Sequence, residues 1–304
     1  MDGASSSVNG GDIYIGYNRD EDGNPEVAEA AGHYVAIRVD GAGSKFTNAN
    51  DGTNAGNIYV SSTQTNATIV QVQNGSSYVS DEGTNITLNA DGGSTDTLGS
   101  TTGNSNKAIL VKGADSTADI AGTITLNDSG STAIQAQDGA TVDFSGEINL
   151  NSQNVDSKAV ANFGIWAQGD GTTVTLSDDA IINMNADRAI GVHVRDGATV
   201  VVNDEAGIVF ADDKTNQIGF LISGISDGTT ALAYNSTKDL VLAGEGSVLF
   251  RVERGSNFSS SSIDSDNPTL STFSTNGTKD ATIFFFFFIK RATKYIYQFI
   301  VGLR

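Results

Sequence analysis

Four stretches of this chain repeat one another at a spacing of about 25 residues, and such a chain folds as stacked units rather than around one irregular core. Three align readily: AIQAQDGATVDFSGEINLN from Ala133, GIWAQGDGTTVTLSDDAIINMN from Gly164 and AIGVHVRDGATVVVNDEAGIVF from Ala189. A fourth, AILVKGADSTADIAGTITLN from Ala108, aligns more loosely. The turn glycines Gly113, Gly139, Gly171 and Gly197 are separated by 26, 32 and 26 residues, and the segment SQNVDSKAVANF accounts for the long step.

Inside each unit apolar and polar residues alternate, which is the period of a strand. In the Ala133 unit, Ile134 and Ala136 share a face, Asp138-Gly139 turns the chain, and Val142 and Phe144 share the next face. After a break at Ser145-Gly146, Ile148 and Leu150 do the same. Each repeat is thus three short strands and three corners. Aligning the repeats predicts columns of like residues. Ile109, Ile134, Ile165 and Ile190 form one, and Val111, Ala136, Ala167 and Val192 the next. Ile120, Phe144, Leu176 and Val202 form a third, Ile124, Ile148, Ile182 and Ile208 a fourth, and Leu126, Leu150, Met184 and Phe210 a fifth. The I-x-[LM]-N signature of the last strand occurs earlier at Ile86 to Asn89.

A unit that buries its inward side chains only by lying on its neighbours is one coil of a parallel β-helix. The predicted fold is all-β, a parallel β-helix of three-strand coils. A β-sandwich also uses short alternating strands, but it pairs them antiparallel and needs no isoleucine-over-isoleucine columns. The clearest coils cover residues 107 to 211. Alternation at Val35, Ile37 and Val39, and strand-like IGFLIS, LVLAG and SVLFRV, extend the helix to residues 33–255. Residues 1–32 read as a polar N-terminal segment or cap, 256–280 as a Ser/Thr/Asn-rich linker and 281–304 as a tail of different composition. Residues 90–106 read as a long surface loop, polar and glycine-rich without periodicity.

Composition agrees and narrows the partners. The chain has 35 Gly, two Pro and no Cys, with 17% charged residues, a mixture that favours turns and short strands over amphipathic helices. Its net charge is −19. The tail holds four basic residues and no acidic one, so the first 280 residues carry 13 basic and 36 acidic groups. Such a surface repels phosphate backbones and anionic lipid, so nucleic acid is excluded as a partner. The opening MDGASSSVNGGDIYIG has neither a basic nor an apolar region of the kind that makes a secretory signal.

Several residues could carry chemistry, each with a plainer role beside it. Asp178-Asp179 and Asp212-Asp213 could divide acid and base work on a glycosidic bond, yet in corners they face water. The Gly-His-Gly and Arg-x-Lys patterns of polygalacturonase-like enzymes do not occur. His193 and Arg195 both point outward from a strand whose inward face is Ile190, Val192 and Val194; without a nucleophile or a third partner the expectation is a solvated surface. His33 has no companion at metal-ligand spacing. NRDEDGNPE, residues 18 to 26, offers Asp20, Asp22 and Asn24 for calcium, but Pro25 replaces the required glycine and Ala31 the closing glutamate. Thr123-Ile-Thr125 and Thr173-Val-Thr175 fall on different strands of their coils and form no flat array. No catalytic, cofactor-binding or metal-binding residue is assigned, and the chain is read as non-enzymatic with no cofactor.

The repeated AI-x-[AV]-x-DGATV, followed by a short strand and I-x-L-N, resembles the passenger domains of bacterial autotransporters, the pertactin-like surface proteins of type V secretion. The resemblance covers roughly residues 33 to 255 as a style of repeat. It implies a right-handed parallel β-helix displayed at the bacterial cell surface, acting in adhesion or aggregation on a host-cell or matrix surface, on polysaccharide or on itself. It also implies linkage to an outer-membrane β-barrel and a signal peptide, neither of which is read here. A carbohydrate-active β-helix, a polysaccharide lyase or tailspike-like glycosidase, is the alternative. The tail ATIFFFFFIKRATKYIYQFIVGLR fits neither a barrel strand nor a membrane helix, because its apolar run stops at Lys290. Five phenylalanine codons need a nearly pure thymine tract, so the expected cause is a frameshift that truncates the product. An amphipathic surface anchor is the other reading.

Overall fold

The computed structural model describes residues 5–27, 31–32, 34–61, 64–88, 105–151, 161–177, 179–223, 231–236, 238, 240–252, 273–275, 289–291 and 294–296. Among them every regular element is a β-strand. Successive strands visit three parallel sheets in turn. One coil runs through Thr132–Gln137, Thr141–Phe144 and Glu147–Leu150, and the chain then enters Phe163–Gln168, which pairs parallel with Thr132–Gln137. The sheet of longer strands has eight members from Val35–Asp40 to Val248–Val252, the middle sheet eight and the third sheet seven. Regularly stacked parallel strands in three sheets are consistent with a parallel β-helix.

Two segments within residues 1–32 join the stack. Ser6–Asn9 pairs parallel with Lys45–Asn48, and Ile13–Ile15 with Asn57–Val60. Tyr17–Arg19 and Pro25–Val27 form a small antiparallel hairpin beside them. Of the segment read as a linker, only Phe273–Thr275 is described, paired parallel with Leu240–Leu242. Of the basic tail, only Ile289–Arg291 and Lys294–Ile296 are described, paired antiparallel. The loop expected at 90–106 lies outside the described residues except for its last two.

The core is the set of inward columns. In the third sheet Ile58, Ile86, Ile124, Ile148, Ile182 and Ile208 lie in one register, and Val60, Leu88, Leu126, Leu150, Met184 and Phe210 in the next. In the middle sheet Ile120, Phe144, Leu176 and Val202 stack. All are buried. Each inward isoleucine or leucine so covered stabilises the fold by about 2–3 kcal/mol relative to exposure.

Two predicted columns are wrong at their last member. Ile109, Ile134 and Ile165 are in register, but the residue opposite Ile165 is Val192, and Val194, not Val192, lies opposite Ala167. Ile190 pairs with Phe163 at the start of the strand. The likeness of Ala189-Ile190 to Ala133-Ile134 is misleading because the corner, not the strand's first residues, fixes register. Val192 stands five residues before Gly197, as Ile134 does before Gly139. A slip of two residues preserves which side chains face inward, so the core survives the error while every outward neighbour changes.

The corners are fixed by two devices. At the exit of the long-strand sheet, Asn74-Gly75, Asp138-Gly139 and Asp196-Gly197 all have positive φ, a conformation that Asn, Asp and Gly adopt at low cost. At its entrance each coil reaches back to the one before. Asn106 Oδ1 accepts the Ala67 N–H at 2.9 Å, Ser131 Oγ accepts the Asn106 N–H at 3.2 Å, and Asn162 Oδ1 accepts the Ser131 N–H at 2.9 Å. Gln217 N–H donates to Ser247 Oγ in the same way at 3.2 Å. These side chains are buried, so each satisfies an amide that water cannot reach. The asparagine of the I-x-[LM]-N signature works on the outside of the stack. Asn151 Nδ2 donates to Asn127 Oδ1 at 3.3 Å and Asn185 Nδ2 to Asn151 Oδ1 at 2.9 Å.

The corrected register is testable by double-mutant cycles in denaturant unfolding. Ile165→Ala and Val192→Ala should couple by about 0.5–3 kcal/mol, whereas Ile165→Ala and Ile190→Ala should be additive within a few tenths; the reverse pattern would restore the sequence alignment. Replacing Asn162 by Ala leaves the Ser131 amide buried and unsatisfied, and should cost about 1–3 kcal/mol.

Candidate functional site

The acidic pairs do not assemble. Asp178 lies outside the described residues, and Asp179 is exposed in a left-handed turn position before Ile181–Met184. Asp212 and Asp213 are exposed after Gly207–Phe210, a strand that pairs parallel with Ile181–Met184. Asp179 and the Asp212-Asp213 pair therefore sit at opposite ends of neighbouring strands, and Asp213 makes a 3.1 Å ion pair with Lys214. His33 lies outside the described residues. Asp20 closes its own bend, accepting the Asn24 and Asp22 amides at 2.7 and 3.0 Å. Those donors, Asn24 first, hold its carboxyl below the ordinary carboxylate range. Among the described residues no three His, Cys, Asp or Glu side chains gather to hold a metal ion. The Thr-x-Thr pairs lie in different sheets, Thr123 in the third and Thr173 in the middle one.

His193 departs from expectation. It points outward from the long-strand sheet, yet it is only 7% exposed. Its ring lies over that of Trp166 with centroids 5.0 Å apart and over that of Phe163 at 5.9 Å, while Phe163 and Trp166 themselves meet at 4.9 Å. Around His193 the outer face of this sheet thus carries packed aromatic rings where a solvated surface was expected. The two-residue slip explains why the sequence concealed this. The mistaken alignment sets Gly191 beside Trp166, whereas the true register sets His193 there. Arg195 turns to its neighbour Asp196, Nε to Oδ2 at 2.6 Å.

His193 also has a hydroxyl partner that the sequence did not reveal. Its Nε2 is 2.7 Å from Ser223 Oγ, on the next strand. That is hydrogen-bond length for a nucleophile and base, but Nδ1 is buried without a hydrogen-bond partner. Among the described residues no carboxylate or carbonyl fixes its tautomer, as an acyl-transfer site requires. Burial first, and the Arg195 charge second, push the imidazole down to about 4, with Asp196 opposing. Trp166 Nε1 is likewise buried without a partner.

Beside this strip runs a groove of about 650 Å³. Its floor is Ile190, Ile218 and Val248, the first residues of three successive long strands. One wall is a corner column of left-handed residues, Arg188 (φ 61°), Asn216 (φ 56°) and Gly246 (φ 69°). Its coils are joined by Arg188 N–H donating to Thr215 O and Asn216 N–H to Glu245 O, both at 2.8 Å. Asp187 lines the same wall with one carboxylate oxygen engaged by Thr215 N–H at 2.7 Å and its hydroxyl at 3.1 Å. Arg251 closes the far side, in register with Leu221 and, one coil further, His193. The arrangement supplies cationic donors, an acceptor and a flat apolar floor. Among the described residues no reacting constellation is assembled in it.

Neutral His193 gives a pH dependence with a definite sign. Its folded-state pKa lies below the unfolded one, so the stability associated with the uncharged ring is complete above about pH 6.5. It is lost as pH falls through the folded value of about 4. The melting temperature of His193→Gln should therefore fall less than that of the parent chain between pH 7 and pH 4, and parallel curves would refute the assignment. Comparison with protein-family models, with curated proteins and with solved structures finds no match to this chain.

Proposed function

We propose that the chain is a right-handed parallel β-helix of the autotransporter passenger kind, displayed at the bacterial surface and acting by binding rather than by catalysis. The observation that carries this reading is the contrast between a uniform stack and the one corner that carries its longest connections. Coil after coil repeats the same columns and the same amide locks. The three longest connections between stacked strands, after Ile13–Ile15, after Asn85–Leu88 and after Glu147–Leu150, all run from a third-sheet strand to the following long strand. Loops on a rigid scaffold can vary without disturbing the core, which is where recognition concentrates. The groove opens along the same corner, between third-sheet and long strands, through Asp187, Thr215 and Gly246.

The rest of the reading follows from the repeat style and composition. A cysteine-free, strongly acidic chain suits a domain that crosses compartments unbridged and stays soluble. Its partners are a host-cell or matrix surface, a polysaccharide, or a second copy of itself.

Fusing the chain to a translocator β-barrel on a bacterial host tests this directly. Displaying cells should adhere severalfold better than barrel-only cells to at least one of three targets: cultured cell layers, polysaccharide-coated beads or one another. No gain on any target would defeat the proposal. So would depolymerisation of a polysaccharide that ceases on Asp213→Asn, which would establish the carbohydrate-active alternative.

A further inference from the structure

We propose that the groove floored by Ile190, Ile218 and Val248 is a binding site for a carboxylate-bearing oligosaccharide, with Arg188 and Arg251 holding the carboxylate. The proposal rests on the surface-binding reading only in taking the ligand to be a surface glycan; the site itself follows from its own chemistry.

Charge points to an anion. The chain carries 36 acidic against 17 basic residues, yet this groove is lined by two arginines and one aspartate. Placing both arginines around one concavity focuses positive potential where the rest of the surface repels anions. Arg188 and Arg251 each already have an interaction partner. Each offers five N–H donors in a planar fork, however, so an engaged arginine keeps donors for a carboxylate.

Shape and lining point to a sugar. The floor spans three strands stacked at about 4.8 Å, so the apolar track is roughly 10 Å from first to third strand. That suits a short run of sugar rings, whose C–H faces pack on flat aliphatic surface while their hydroxyls point to the rims. One rim provides donors and acceptors for hydroxyls in Asp187, Thr215 and Asn216. Asp187 matters for choosing among anions. Its carboxylate repels a bare phosphate or sulfate but accepts from sugar hydroxyls, so a ligand with both carboxylate and hydroxyl groups fits where a simple dense anion does not. The volume, about 650 Å³, is in the range of small-ligand clefts.

The test uses the whole chain, titrated calorimetrically with trigalacturonate and with its fully methyl-esterified form, which lacks the negative charges. The acid form should bind at least tenfold more tightly. Arg251→Gln and Arg188→Asn should each weaken the acid form about tenfold while leaving the ester unchanged; asparagine tolerates the left-handed backbone at 188. Unaltered thermal unfolding of both variants shows that they fold. Equal affinity for the two forms, indifference to both substitutions, or preference for a glutamate-rich peptide over the uronate would each overturn the site. If displaying cells still adhere when both arginines are replaced, the groove assignment fails while the surface-binding reading stands. If the chain binds trigalacturonate but display confers no adherence, the groove stands and that reading fails.

Discussion

The structure depends on one constraint: a coil's backbone amides and carbonyls are satisfied only by the coils above and below, so neighbouring coils must have nearly the same shape. In-register parallel pairing brings each inward side chain over its equivalent, and like over like is the packing that leaves neither void nor overlap. That is why Ile86, Ile124, Ile148, Ile182 and Ile208 recur with little variation. It is also why insertions are confined to corners. A residue added within a strand would displace two ladders of hydrogen bonds, whereas a residue added at a corner displaces none.

The same constraint produces the less obvious polar order. A coil entering the long-strand sheet has an amide facing the interior before the ladder begins. The buried Asn106, Ser131 and Asn162 side chains satisfy that amide from the next coil. Unlike the aliphatic columns, these contacts are directional, so they oppose slippage between coils as well as separation of them. Glycine answers a related demand at Gly146, where a β-carbon would run into the Gly122 carbonyl below. There the coils approach too closely for any side chain.

Outward-facing positions are freer. On the long-strand sheet the outward column passes from Gln135 through Trp166, His193 and Leu221 to Arg251. No repeat is visible along it, because the scaffold does not require one. The ring packing of His193 and the groove at the neighbouring corner are therefore properties of particular coils. Non-repeating outer residues on a repeating core let one architecture present different surfaces without changing its stability greatly.

The period, the inward alternation and the Asp-Gly corners were legible in the amino-acid order, because each is a local rule expressed again in every coil. They fixed an all-β chain of three-strand units and most of its core columns. The Asp-Gly pairs alone, which commonly close antiparallel hairpins, did not say that the chain would leave for another sheet; the repeat did. The tertiary structure decided what lies beside what outside the core. Sequence likeness placed Ile190 over Ile165, whereas the corner at Gly197 places Val192 there and so brings His193 to Trp166. Parity protects the inward set from such a slip and gives the outward set no protection. For that physical reason the core could be read from the chain, and the groove with its arginines could be found only in the fold.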